Sequence, residues 1–154
     1  MTDRADTAPE HPTRTGPTTD PAEVERRLRQ GPFHEWLGLR VLEVGEDRIE
    51  LAFTWRPEWV ADPDAGYTHG GILATIVDLT ADWALVSRLG RGVPTVDMRV
   101  DYHRAAARGE DLTAVGEVVR FGRTLAVAEA RVLDGQRRLV ASGRGLYHTA
   151  SATS

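Results

Sequence analysis

Apolar residues are scarce before residue 20 and dense after it, and the spacing of the dense part changes along the chain. Residues 39–44 and 49–55 are two short apolar runs flanking Gly45-Glu46-Asp47, which predicts a β-hairpin. Residues 56–68 hold two prolines and a glycine and predict irregular chain. Residues 72–89 contain neither Gly nor Pro and predict one long central helix. Beyond residues 90–94 the period becomes two. Val96, Met98, Val100 and Tyr102 alternate with Thr95, Asp97, Arg99 and Asp101, the pattern of a half-buried strand. Further strands are expected at 112–120, 124–133 and 138–148, with tight connections at Phe121-Gly122-Arg123 and Asp134-Gly135. Upstream, Asp20-Pro21 reads as an N-cap followed by a proline at the first helical position. Glu23 is placed for a capping box, and Gly31 stops a helix over 21–30. Phe33, Trp36 and Leu37 follow as one apolar helical turn.

Short connections between the later strands imply antiparallel pairing. A single long helix must then cover one face of the sheet. The expected fold is α+β, a long central helix wrapped by an antiparallel sheet of about five to six strands. Residues 20–149 form the expected domain, between a disordered tail over 1–19 and a frayed C-terminus over 150–154.

The long helix carries a contradiction. On a wheel of about 100° per residue, Ile72, Ile76, Leu79, Trp83 and Val86 form one apolar stripe and Leu73, Val77 and Ala84 another. Such a helix is buried on most sides. Yet Asp78 and Asp82 lie four residues apart on one face, with no basic residue between Ile72 and Ser87. A lone buried carboxylate costs several kcal/mol unless it is paired or neutralised. Either this face is a wet edge, or a carboxylate is held in a cleft as general base or nucleophile. A pair also permits a split role, one member ionised and the other protonated. His69 is not spaced as a helical ligand partner of either aspartate, so no metal site is expected. His69-Gly70-Gly71 precedes the helix. Its glycines let a substrate oxygen approach the first helical amides, where the helix dipole is positive. That is how a backbone oxyanion hole is built.

Composition narrows the chemistry. The chain has 154 residues, a net charge of -4 and no cysteine. Thiolate nucleophiles, thiolate metal sites and disulfides are excluded, and nucleic acid is not the expected partner. All 19 basic residues are arginine, and there is neither lysine nor asparagine. A lysine Schiff base and an asparagine amide are both ruled out. No apolar run is long enough for a transmembrane helix and no secretory signal is recognisable, so a cytoplasmic location is expected.

The run Tyr67-Thr68-His69-Gly70-Gly71-Ile72-Leu73-Ala74-Thr75-Ile76-Val77-Asp78 resembles the signature of hotdog-fold acyl-CoA thioesterases of the phenylacetic-acid-degradation type. The likeness continues through Pro94-Thr95-Val96-Asp97-Met98, Tyr102-His103-Arg104-Ala105-Ala106 and Arg120-Phe121-Gly122-Arg123-Thr124, and spans about residues 33–148. It implies a homodimer or homotetramer with active sites at the subunit interface, and coenzyme A as part of the substrate rather than a separate cofactor. It further implies Asp78 as base or nucleophile, the Gly71 amide polarising the thioester carbonyl, His69 shaping that loop and Thr95 helping to position the water. Tyr102, Arg104, Arg120, Gly122, Arg123 and Thr124 match segments that contact coenzyme A, and a guanidinium fork suits its phosphates. One position departs: Pro63 stands where many relatives carry Asn or Gln. Asp64 or Asp82 is then the candidate to take over part of that amide's role. Hydrolysis of an acyl-CoA or aryl-CoA is the leading expectation. Release of an acyl chain from an acyl carrier protein and non-catalytic acyl-CoA binding are the alternatives.

Overall fold

The computed structural model describes residues 16–150. The tail expected over 1–19 therefore falls mostly, and the C-terminus over 150–154 almost wholly, outside the described residues. Helix α1 (Pro21–Leu28) and the short α2 (Pro32–Leu37) lead into β1 (Leu39–Gly45) and β2 (Arg48–Phe53). Helices α3 (Gly70–Trp83) and α4 (Val86–Leu89) follow, then β3 (Thr95–Tyr102), β4 (Leu112–Phe121), β5 (Leu125–Leu133) and β6 (Leu139–His148). No helix among the described residues is long and apolar enough to cross a membrane.

Asp20 caps α1 by accepting from the Ala22 N–H at 3.1 Å. Glu23 does not close the expected capping box, because its carboxylate is spent on Arg26 and Arg27 at 2.7 and 2.9 Å. The single helix expected over 72–89 is two. At Leu85 the hydrogen bond tightens to a three-residue turn, its N–H donating to the Asp82 carbonyl at 3.1 Å, while Ala84 still donates to the Thr80 carbonyl four residues back. Ala84, Leu85 and Val86 are all fully buried at this junction.

All six strands form one antiparallel sheet in the order β1-β2-β4-β5-β6-β3. The link from β3 to β4 is thus not a hairpin. It carries the chain from one edge of the sheet to the interior, and β3 pairs with β6 instead. The sheet wraps α3 with a face of small residues: Ala114, Ala126, Ala128, Ala130 and Ala141 are buried there. At Gly116 a Cβ would overlap the Thr80 carbonyl, and at Gly143 it would stand 2.6 Å from Val77 Cγ1. Small residues let the helix axis approach and fix its height above the sheet. Gly116→Ala is expected to cost about 1–3 kcal/mol by overpacking, read as a lower urea midpoint of unfolding.

The two edges differ. β1 is covered by α1, with Glu25 accepting from the Val41 N–H at 2.8 Å. β3 is open. Met98 and Val100 are half-buried as expected, but Val96 and Tyr102 are each 55% exposed. Val96 and Tyr102 find no cover among the described residues.

Candidate active site

Three elements converge on Asp78. Thr95, the first residue of β3, donates its hydroxyl to Asp78 Oδ1 at 2.8 Å. Tyr147 near the end of β6 donates to the same Oδ1 at 3.2 Å and to the Asp78 carbonyl at 3.3 Å. Thr95 and Tyr147 are cross-strand partners. Strict alternation would put Thr95 on the face opposite Met98 and Val100. A register shift between Thr95 and Asp97 leaves Val96 as an extra residue and turns Thr95 inward. Asp78 Oδ2 receives no hydrogen bond among the described residues, so one carboxylate oxygen is fixed and the other is available. Asp78 is half-buried and makes no ion pair among the described residues.

Asp82 lies one turn further along α3. Its Oδ1 accepts from the Val93 N–H at 2.7 Å. Its Oδ2 packs against Gly92, where a Cβ would stand only 2.5 Å away. Burial pushes the Asp82 carboxyl up to about 7, the nearby Asp78 charge adding to this and the Val93 hydrogen bond and Arg91 opposing it. Asp82 therefore holds a proton more readily than a free carboxyl. The folded state binds this proton more tightly than the unfolded chain. Stability is accordingly expected to fall as pH rises from about 4 to about 7, with a slope approaching ~1.4 kcal/mol per pH unit from this group. Asp82→Asn, which keeps the acceptor for Val93, should flatten that part of a plot of urea midpoint against pH.

The entrance of α3 is built differently from expectation. His69 is the N-cap, and its Nδ1 accepts from the Gly71 N–H at 2.8 Å. The ring then carries its proton on Nε2. Gly71 is required for this, since a Cβ there would meet Nδ1 at 2.9 Å. The amide expected to polarise a carbonyl is thus occupied by the cap. The Gly70 N–H has no acceptor among the described residues, while the Gly70 carbonyl accepts from the Tyr102 hydroxyl at 3.1 Å. The free donor at this helix start is the Gly70 N–H.

The remaining candidates separate into two groups. Tyr102 ends β3 beside Gly70, and Arg104 follows just beyond the strand. Arg120, Gly122, Arg123 and Thr124 surround the β4–β5 turn, which is tied to the other end of β3. There the His148 N–H donates to the Pro94 carbonyl and the Thr149 N–H to the Thr124 carbonyl, each at 2.9 Å. Arg104, Arg120 and Arg123 are exposed and make no ion pair among the described residues. Asp64 sits on an exposed loop, where its own N–H donates to Asp62 at 2.8 Å, and no contact carries its carboxylate to Asp78. Tyr147 was not anticipated from the sequence; its place in an apolar, glycine-spaced strand reads as core.

Comparison with known proteins supplies the context for this geometry. The sequence profile of the thioesterase superfamily matches residues 65–141, from just before the His69 cap into the start of β6. The medium/long-chain acyl-CoA thioesterase YigI of Escherichia coli K12 is 30% identical over 132 residues, covering 75% of this chain and 84% of that protein. A solved protein of the thioesterase superfamily is 49% identical with a TM-score of 0.79, covering 83% of this chain and 96% of that one. Zebrafish thioesterase superfamily member 2 is 28% identical with a TM-score of 0.77, covering 86% of this chain and all of that structure (100%). With a sheet wrapped on a central helix, a carboxylate held midway along that helix and this extent of likeness, the chain belongs to the thioesterase superfamily and has the hotdog fold.

Proposed function

We propose that the protein hydrolyses an acyl-CoA thioester at a site assembled from two copies of the chain. The observation that carries the chemistry is the Asp78 carboxylate, with Oδ1 held by Thr95 and Tyr147 and Oδ2 bare. Oδ2 takes a proton from water as the water oxygen attacks the thioester carbonyl carbon. A backbone N–H holds the developing oxyanion. The C–S bond then breaks, the thiol of coenzyme A leaves with the proton, and the free acid remains.

The two halves of this chemistry cannot meet within one chain. Gly70 and Asp78 are eight residues apart on one continuous helix, hence about 12 Å apart along its axis. A carbonyl under attack needs base and donor within about 3–4 Å of its own atoms. The open edge strand supports a solution. β3 begins at Thr95, bonded to Asp78, and ends at Tyr102, bonded to Gly70. Antiparallel pairing of two β3 strands about their midpoint sets Thr95 of one copy opposite Tyr102 of the other. Asp78 of one chain then faces Gly70 of the second copy, and the uncovered Val96 and Tyr102 become buried. The coenzyme-A candidates obey the same logic. Arg120 to Thr124 and Tyr102 to Arg104 lie at opposite ends of β3, about 24 Å apart along the strand, and the same pairing brings one copy's set beside the other's.

The test is a thioester panel with a free-thiol readout, using phenylacetyl, benzoyl and short to long acyl groups. Each is offered on coenzyme A and, for the best acyl group, on acyl carrier protein. Turnover with kcat/KM at least as high on coenzyme A supports the reading. Preference for the carrier protein moves the substrate to that carrier, and tight acyl-CoA binding without turnover overturns hydrolysis.

A further inference from the structure

We infer that Tyr147 is a positioning residue that fixes the reactive rotamer of Asp78. This rests on the proposed role of Asp78 and adds a residue to it. The geometry is specific. The phenol oxygen lies 3.2 Å from Oδ1 and 3.3 Å from the main-chain carbonyl of the same aspartate. In both contacts the tyrosine hydroxyl is the donor, shared between the main-chain carbonyl and Oδ1. A donor shared between a residue's backbone and its own side chain ties the carboxylate to the helix frame, and the Thr95 hydroxyl holds the same oxygen from β3.

Tyr147 is itself immobile. It is fully buried, so it acts through Asp78 and does not touch substrate. Its ring lies along β6 over Gly145, where a Cβ would overlap the phenol. Gly145 is thus the position that lets the hydroxyl reach the helix. The phenol also cannot ionise at any working pH: burial raises it strongly, and the Asp78 and Asp82 charges raise it further. Its proton is therefore permanently available to the carboxylate. The polar groups around Asp78 are Thr95 from β3, Tyr147 from β6 and Asp82 on its own helix, with Arg91 beyond Asp82. With one oxygen bonded twice, the remaining oxygen points to the water at no rotameric cost during the reaction.

The experiment compares Tyr147→Phe with the unaltered full chain on its best acyl-CoA. The loss of one hydrogen bond to a charged group is expected to lower kcat about ten- to a hundredfold with KM within about twofold. The acid limb of kcat/KM should move upward, because the anionic form of Asp78 loses a donor that favours it. A role in packing alone would not move that limb. If the phenylalanine variant does not accumulate folded protein, 3-fluorotyrosine at position 147 serves instead. It is a stronger donor, and the limb should move downward. In an Asp78→Asn background the Tyr147→Phe effect should vanish. Unchanged kcat and acid limb in Tyr147→Phe, or an equal loss in the Asp78→Asn background, overturns the inference and leaves the role of Asp78 standing. Wild-type kcat in Asp78→Asn alone removes that role, and the inference with it.

Discussion

Asp78→Asn is expected to lower kcat by about 10²–10⁴-fold on the best acyl-CoA, with KM changed by no more than about twofold. The substitution is nearly isosteric. Its carbonyl oxygen can still accept from Thr95 and Tyr147, the contacts that hold the side chain in place at 2.8 and 3.2 Å. What is lost is the lone pair of the unbonded oxygen, replaced by an NH₂ that donates and cannot take a proton from water. Binding of coenzyme A and of the acyl chain involves neither atom, so KM should hold. The check is steady-state kinetics with a free-thiol readout, alongside a thermal melt within a few degrees of the parent. Near-parental kcat would mean that Asp78 is only a well-ordered half-buried carboxylate.

Much of this site is legible in the chain before any coordinates. An all-round apolar helix with two aspartates and no cation demands an explanation, and the His69-Gly70-Gly71 entrance tells where the helix begins. The parts that spacing and alternation alone leave hidden share a cause. Each depends on where the backbone departs from its ideal period. Alternation assigns Thr95 to the polar face of β3, and only the extra residue at Val96 turns it toward Asp78. Glycine freedom at 70 and 71 suggests two available amides, yet the choice between them depends on the rotamer of His69, whose Nδ1 occupies Gly71. Tyr147 looks like one more apolar-strand residue until Gly145 is seen beneath its ring. The crossover of the β3–β4 link follows from the pairing of β3 with β6. Connection length limits which strands can be neighbours and does not choose among them.

Gly70→Pro is expected to lower kcat by about 10²–10³-fold, the usual cost of losing one oxyanion donor. Proline is suited to this test because it deletes the N–H and little else. Gly70 is the first helical residue after the His69 cap, a position where proline's fixed φ is already helical and its missing donor breaks no helix bond. His69 has φ -59 and ψ 135, the extended conformation that a following proline requires. A Cβ at 70 meets Tyr102 at 3.4 Å, an ordinary contact. Two inactive proteins then become a test of how the site is assembled. In a heterodimer of Asp78→Asn with Gly70→Pro, a site shared across the two-fold axis pairs the intact Asp78 of one chain with the intact Gly70 of the other. The second site of that dimer carries both substitutions. Random reassociation at equal amounts makes half the dimers mixed, so about a quarter of the unaltered activity should return. A site confined to one chain would always keep one defect, and mixing would return nothing beyond the average of the two variants. Recovery near a quarter after co-expression or joint refolding would therefore show that the base and the oxyanion donor come from different chains, as pairing of two β3 strands requires.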